Sequence, residues 1–330
     1  MEMEMEMEMQ PVPAPSPNLG RWNVLQNFDH QKHYYDDPFP HVIIEDALPE
    51  DLYQILLKDF PQQELINPNY KRDHNTWRLS QYEKEFSTLK PSQEWQEFHA
   101  YHSSQAFYDQ LMKIFEPFIR EYYPIIAEEL LTTPVKSRQK SNLGKHTIYT
   151  DTQFVLNQPS DVTSRTTHVD NPREIYASLY YLRDSQDLST GGDLVLYHPT
   201  QEYHQTDIKK KNSRQLKLTL VEPMKTIPYR GNTYALFLSI RESPHGVTPR
   251  VDAQHNRLSI NIIAEVDVDL WPLKFSGARA ISLIKPKKAK KAQKSQMPEP
   301  DVPEMQSVPE REQTIVSNCP ETSEPMPDLI

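Results

Sequence analysis

His168 and Asp170 stand two residues apart, and a lone histidine, His245, follows 77 positions later inside Ser243-Pro244-His245-Gly246-Val247. Two imidazoles and one carboxylate are the donor set of the non-haem Fe(II) facial triad, which grips one side of an octahedron and leaves the other open for substrate and oxygen. Residues two apart on an extended segment project from one face, so the His-x-Asp spacing lets both side chains reach one metal. Twelve residues beyond His245, Arg257-Leu258-Ser259 opens a strand-like run. A fixed guanidinium there would anchor an organic carboxylate beside the metal, because its planar fork matches the two carboxylate oxygens. Arg250 is the competing cation, five residues after His245. It follows a proline in a turn and is expected to be solvated. Arg257 instead heads a stretch in which Leu258, Ile260 and Ile262 alternate with Ser259 and Asn261, as in a half-buried strand.

These groups need a frame to hold them. From about residue 148 the chain reads as short strands separated by turns, at 150–157, 175–182, 193–198, 216–222, 225–228, 233–240 and 257–266. Gly191-Gly192 and Gly231-Asn232 supply turn signals between them. Earlier, Phe39 to Asp46 reads as a buried strand. Pro49-Glu50-Asp51 then opens a helix whose expected apolar face is Leu52, Ile55, Leu56 and Phe60. Residues 62–90 read as polar and irregular, with Trp77 and Tyr82 as docking points. Ser103 or Ser104 is the expected N-cap of a long helix carrying Phe107, Leu111, Phe115, Phe118 and Tyr122, which Pro117 should kink or split. Helices first and strands after predict an α+β body, its barrel backed by N-terminal helices. Strands at this spacing favour a barrel or sandwich over alternating βαβ units, and no glycine-rich phosphate loop is present.

Composition narrows the classes. The chain has 330 residues, 37% hydrophobic. The shortfall is concentrated at the ends: residues 1–18 are a Met-Glu repeat followed by alternating prolines, and 285–330 are Lys-rich and then Pro/Glu-rich. Such segments bury too little apolar surface to offset chain entropy, so both are expected to be disordered tails flanking one domain over 19–284, with its barrel core at about 148–266. The single cysteine, Cys319, lies in the second tail. The body therefore has no disulfide, thiolate ligand or thiol nucleophile, which fits a reducing compartment, and a cytoplasmic location is expected. No long apolar window predicts a membrane span. A formal charge of -10 disfavours general nucleic-acid binding. The lysine-rich run 285–294 is read as a solvated linker, and the tails as sites for partners of unknown kind. His198, His204 and His255 are read as surface or loop residues, His41 as packing at a strand start, and Tyr180 and Tyr197 as packing residues.

The order of these features resembles the 2-oxoglutarate- and Fe(II)-dependent oxygenases, especially their prolyl-hydroxylase-like branch. His168-x-Asp170 follows a strand, Tyr180-Tyr181-Leu182 lies on the next, Gly191-Gly192-Asp193-Leu194 begins another, His245 follows an apolar strand, and Arg257-x-Ser259 starts the last. The resemblance covers roughly 150–266. It implies a double-stranded β-helix (a jelly-roll, cupin-like barrel) binding Fe(II) through His168, Asp170 and His245. It implies 2-oxoglutarate and O2 as cosubstrates, with ascorbate as a reductant. Arg257 would pair with the distal carboxylate of 2-oxoglutarate, Ser259 would add a hydroxyl, and Tyr181 matches a tyrosine that reaches the same carboxylate in some hydroxylases. Asn157, eleven residues before His168, matches an asparagine that touches the cosubstrate in the nucleic-acid demethylase branch, although Pro159 stands where an aromatic residue is often found. The anchor arginine commonly falls nine or ten residues after the distal histidine, so twelve implies a longer turn here.

The implied reaction is hydroxylation of an unactivated C–H bond with release of succinate and CO2. The substrate would be a peptidyl residue, proline first, or a small molecule. Related halogenases carry a small residue where Asp170 stands, so a carboxylate there implies hydroxylation. Arg173, Arg241 and Glu242 are candidates for the pocket mouth, and the 62–90 segment, with Trp77 and Arg78, for a lid. Two other classes remain at this stage, a cupin-type metal-binding isomerase and a non-catalytic oxygenase-derived scaffold. The isomerase reading leaves Arg257-x-Ser259 and Tyr181 without a purpose, and retention of all three ligands and the anchor argues against the scaffold.

Overall fold

The structure is a computed structural model that describes residues 19–66, 75–138, 147–159, 166–200 and 214–271. The chain divides into two units, 1–285 and 286–330, and every described residue lies in the first. Both sequence tails, the lysine run, Cys319 and His204 fall outside the described residues.

The N-terminal half is mostly helical: α1 His30–His33, α2 Glu50–Lys58, α3 Gln62–Leu65, α4 Lys84–Leu89, α5 Gln93–His102, α6 Gln105–Tyr122 and α7 Ala127–Thr132. Strands β1 Tyr34–Tyr35, β2 His41–Ile44, β3 Thr76–Ser80 and β4 Val135–Ser137 lie among them. The rest is β: β5 Ile148–Asn157, β6 Glu174–Tyr181, β7 Thr190–Gly191, β8 Leu194–Pro199, β9 Val221–Ile227, β10 Thr233–Leu238, β11 His245–Val247, β12 Arg250–Val251 and β13 Arg257–Val266.

An eight-stranded sheet runs in the order β1-β2-β10-β6-β13-β5-β3, with β4 added parallel to β5. A three-stranded sheet, β11-β8-β9, and a short β12-β7 pair complete the set. The architecture is thus the expected α+β one, with a large and a small sheet in the jelly-roll manner. Among the described residues the hydrogen-bonded ladders do not close into a continuous barrel.

Strand periodicity decides what each face of the large sheet does. On β13, Leu258, Ile260, Ile262 and Ala264 are all buried and share a face with Phe154 of β5 and Tyr180 of β6. Phe154 meets Phe60 and Trp95 at ring-centroid distances of 5.3 and 4.8 Å, and Tyr180 stacks on Phe98 at 5.7 Å. Helix α5 therefore covers this face. Burying each such large apolar side chain contributes about 1.5–3 kcal/mol. The opposite face of β13 presents Arg257, Ser259, Asn261, Ile263 and Glu265, and it is the face on which the polar chemistry collects.

Several expectations shift. Residues 76–80 are not irregular and not a lid: β3 pairs with β5, and Trp77 is buried on it. Helix α5, capped by Ser92, had no counterpart in the sequence reading. Helix α6 runs unbroken through Pro117. The proline sits on the solvent side, so the carbonyl it frees can meet water, while buried Phe115 and Ile119 hold the helix on either side. Ser104 caps it, accepting from the Phe107 amide. On α2, Tyr53 and Leu56 are buried and Ile55 is exposed. The runs at 216–222 and 225–228 form one strand, β9, preceded by a 3-10 turn at Leu218–Leu220. Strand β9 lies at a sheet edge, which is where Pro223 is tolerated.

Candidate metal centre and cosubstrate anchor

His168 and His245 are joined through their backbones before their side chains meet. Each amide donates to the other's carbonyl at 2.9 Å, an isolated antiparallel bridge that ties the segment before β6 to the start of β11. A neighbouring bond, from the Leu216 amide to the Thr167 carbonyl, pins the same segment from its other side. The two rings stand with centroids 4.2 Å apart. Asp170, two residues on, points the same way, while Val169 between them is buried in the core.

The ring nitrogens are sorted. His168 Nδ1 lies 2.8 Å from the Thr166 carbonyl, and His245 Nδ1 lies 3.0 Å from the Ser243 carbonyl. A carbonyl only accepts, so both Nδ1 atoms carry the hydrogen in the neutral ring and both Nε2 lone pairs are left to bind. The Nε2 atoms approach the Asp170 carboxylate at 3.6 and 3.5 Å. All three ligand atoms lie within 4.8 Å of one another, in buried surroundings. The donor set, its tautomers and its convergence fit a divalent transition metal.

The second cluster lies on the face of the large sheet opposite the one that packs on α5. Arg257 pairs in register with Asn157, and Ser259 with Tyr181. Arg257 donates Nε to the Gly192 carbonyl at 2.9 Å and holds Nη1 3.5 Å from Asn157 Oδ1. Its guanidinium carbon sits 5.0 Å from the Tyr181 ring centre and 4.9 Å from that of Tyr229. Arg257 Nη2, the Tyr181 hydroxyl and the Ser259 hydroxyl are buried and have no hydrogen-bond partner. Buried donors are normally satisfied, so three orphans side by side mark a place for an acceptor. Burial pushes the Tyr181 phenol up to about 12, with Arg257 pulling the other way, and the hydroxyl keeps its proton. Asn157 Nδ2 donates to Thr76 Oγ1 at 2.5 Å, so its amide is fixed against the guanidinium.

Arg250 is not solvated. It is buried, donating Nη2 to Asp187 Oδ2 at 2.8 Å and Nη1 to the His255 carbonyl at 2.8 Å. Burial raises the Asp187 carboxyl, but Ser189, Arg250 and Arg183 outweigh it and hold it below its ordinary value. The competing cation is therefore neutralised within the protein, and its charge is spent. Arg173 is exposed and donates Nε to Asp269 at 3.1 Å. Its neighbour Glu174 is the in-register partner of Glu265, after a shift in register at Ala264/Glu265. Burial and then the negative charges of Asp170 and Glu265 push the Glu174 carboxyl well up. His198 and His255 are exposed, and Tyr180 is core, donating to Asn232 Oδ1 at 2.8 Å.

Sequence reasoning missed Tyr229 and Asp187 and read Gly192 only as a turn; together the three set the environment of the two arginines. Only Gly192 carried a signal: it and Gly191 adopt left-handed φ of 76° and 78°, a conformation that favours glycine. A Cβ on Gly191 would stand 2.0 Å from the Pro249 carbonyl oxygen.

The model of the 2OG-Fe(II) oxygenase superfamily matches residues 154–264. Residues 154–264 belong to that superfamily. The matched span holds every residue of both clusters: His168, Asp170 and His245, and Arg257 with Asn157, Tyr181 and Ser259. The family implies Fe(II) and 2-oxoglutarate, and a His-Asp-His site able to hold the metal is present. No curated protein sequence matches this chain. Among solved structures, a Pseudomonas putida prolyl-4-hydroxylase is similar at 16% identity, covering 75% of this chain and 99% of that one with a TM-score of 0.38. A prolyl 4-hydroxylase from Phytophthora capsici is similar at 13% identity, covering 80% and 70%, with a TM-score of 0.42. IDO from Bacillus thuringiensis is similar at 12%, covering 69% and 93%, with a TM-score of 0.34. Likenesses this distant say nothing of the substrate. No helix among the described residues is long and apolar enough to cross a membrane.

Proposed function

We propose that this chain is a 2-oxoglutarate-dependent hydroxylase acting on an unactivated C–H bond, either of a peptidyl residue, proline first, or of a small molecule. His168 and His245 would bind Fe(II) through Nε2 and Asp170 through a carboxylate oxygen. When bound, the iron supplies the oxidative chemistry that couples decarboxylation of 2-oxoglutarate to hydroxylation.

The protein's own residues do the rest. The carbonyls of Thr166 and Ser243 hold the two imidazoles in the tautomer that offers Nε2. Arg257 would receive the distal carboxylate of 2-oxoglutarate on Nη1 and Nη2, because Gly192 already takes Nε. Tyr181 and Ser259 would donate their hydroxyls to the same group, giving each orphaned donor its acceptor. Asn157 Oδ1 steadies the guanidinium through Nη1. The rings of Tyr181 and Tyr229 enclose it and exclude water, which strengthens the charge pairing. Ascorbate serves as reductant in this reading. O2 is the second cosubstrate in this reading.

The observation that carries the reading is the pairing of two clusters on one chain: a His-Asp-His triad with sorted tautomers, and a buried guanidinium whose Nη2 is without a partner, with two unpartnered hydroxyls beside it. The test is to add Fe(II) and then 2-oxoglutarate to the metal-free protein without oxygen and record the visible spectrum. A new metal-to-ligand charge-transfer band is expected, lost in His245→Ala and weakened in Arg257→Ala. Absence of the band, with metal binding shown separately, overturns the assignment.

A further inference from the structure

Tyr229 lies in the turn between β9 and β10 and is fully buried. Its amide donates to Asp193 Oδ1 at 2.8 Å, and its carbonyl accepts from Arg183 Nη1 at 2.8 Å. Its hydroxyl fills a gap in the sheet. At the end of the β6–β13 ladder the Leu182 amide donates to the Leu258 carbonyl at 3.1 Å. The return rung runs through the Tyr229 hydroxyl, which accepts from the Leu258 amide at 2.9 Å and donates to the Leu182 carbonyl at 3.4 Å. Leu258 follows Arg257, so this hydroxyl holds the backbone from which the proposed cosubstrate anchor springs. The polar groups of Tyr229 are thus spent within the protein, and none is left for a ligand.

The ring has a separate role. Three guanidinium carbons stand round it: Arg257 at 4.9 Å, Arg183 at 5.3 Å and Arg250 at 5.8 Å from its centre. Each is within the range at which a ring quadrupole attracts a cation. Arg183 and Arg250 share the Asp187 carboxylate, at 3.7 and 2.8 Å. Arg257 instead keeps a buried Nη2 without a partner. Its one firm hydrogen bond, Nε to the Gly192 carbonyl, does not by itself fix the plane of a guanidinium on a long side chain. The rings of Tyr181 and Tyr229, inclined at 82° to one another, form the corner that does.

Resting on the oxygenase reading above, we propose that Tyr229 is a positioning residue for the cosubstrate. Acting through Arg257, it sets the preference for a 2-oxo acid that carries a second carboxylate. The ring holds the guanidinium in the plane that presents Nη1 and Nη2 as a fork, and the hydroxyl holds the strand end beneath it. A fork ordered before the ligand arrives loses little freedom on binding, so the ordering appears as affinity. That gain reaches only a ligand that meets the fork. A 2-oxo acid without the distal carboxylate does not meet it and is indifferent to Tyr229.

The test uses the full chain loaded with Fe(II) without oxygen. The charge-transfer band is titrated with 2-oxoglutarate and with 2-oxobutyrate, which is 2-oxoglutarate without its distal carboxylate. The parent is expected to prefer 2-oxoglutarate. Tyr229→Leu is expected to weaken 2-oxoglutarate about tenfold, the loss of one buried cation–π contact, and to leave 2-oxobutyrate within about twofold. Tyr229→Met, which fills more of the ring's volume, carries the same comparison if Tyr229→Leu does not fold. Tyr229→Phe keeps the ring and is expected to hold 2-oxoglutarate within about threefold of the parent. Its Tm falls, because the Leu258 amide and the Leu182 carbonyl lose the hydroxyl between them. Equal weakening of both acids in the ring-free variants marks a merely structural role and overturns the inference. So does unchanged 2-oxoglutarate binding in them, or a loss in Tyr229→Phe as large as in Tyr229→Leu. A parent that binds the two acids equally overturns the Arg257 anchor and the inference with it, and a parent that shows no band with either acid overturns the oxygenase reading itself.

Discussion

Removing Arg257 and removing Arg250 should have opposite consequences, although both are buried arginines a few residues apart near the same tyrosine ring. Arg257 spends one N–H on the Gly192 carbonyl and has Nη2 unpaired and Nη1 only loosely held. A carboxylate arriving there gains two charge-assisted hydrogen bonds, each worth about 1.5–3 kcal/mol. Glutamine in its place recovers one neutral bond, so Arg257→Gln should cost about 3 kcal/mol of 2-oxoglutarate affinity, roughly 150-fold. Fold stability should hold, because an unpaired buried charge has been removed. Arg250→Gln strips Asp187 of its 2.8 Å cationic partner and leaves it the Ser189 amide at 3.1 Å and the more distant Arg183 at 3.7 Å. Breaking a buried pair in this way costs about 3 kcal/mol of stability, which lowers Tm by about 6–12 °C in a domain of this size. Affinity for 2-oxoglutarate should stay within about threefold of the parent. The assay is anaerobic titration of 2-oxoglutarate into the Fe(II)-loaded variants, with Tm followed by circular dichroism. Unchanged affinity in Arg257→Gln, or lost affinity with unchanged Tm in Arg250→Gln, would refute the division of labour between the two.

Three further outcomes are expected. Burial, with His102 adding to it for His99, pushes both His99 and His102 down to about 3 from an ordinary 6.5. Below pH 6.5 the unfolded chain takes up protons that the folded one refuses, so metal-free stability should fall as pH drops, by about 3 kcal/mol for the pair between pH 7.5 and 5.5; a flat urea-denaturation profile over that window would contradict it. Gly191→Ala places a methyl against the Pro249 carbonyl at a left-handed φ, and Tm should drop by about 6 °C or more, with weaker 2-oxoglutarate binding because the adjacent Gly192 carbonyl steers Arg257. Asp170→Ala removes the acidic ligand, and succinate formation should fall at least about 100-fold; full hydroxylase turnover in that variant would sink the ligand assignment.

The grouping of the candidate site residues was more legible than the scaffold around them. The His-x-Asp pair and distal His245 could be read because metal donors must be particular residue types at spacings that a strand can present. The structure brings all three together. Arg257 could be told from Arg250 by strand alternation, yet the reason given for dismissing Arg250 was wrong. It is buried, and what removes it is Asp187, 63 residues away in sequence. No local pattern reports a partner at that distance. Strand β3 was missed although Thr76-Trp77-Arg78-Leu79-Ser80 alternates, because five residues in a polar stretch do not stand out without the neighbouring strand. Helix α5 was legible in principle, with Ser92 as cap and Trp95, Phe98, His99 and His102 at helical spacing. Its apolar face includes two histidines, which hydropathy counts as polar although both are buried. Pro117 shows the reverse error, a strong local rule outweighed by packing on the other side of the helix.

Strand β13 is the last described strand of the chain, yet it lies between β5 and β6 and bonds to both along nearly its whole length. During synthesis β5 and β6 emerge about a hundred residues ahead of it, and each must wait with one long edge unpaired. Such edges invite wrong partners. The site and the fold are therefore finished by the same event, when residues 257–266 insert. A chain that stops short of Arg257 would lose its cosubstrate anchor and, with it, the strand that joins the two halves of the sheet.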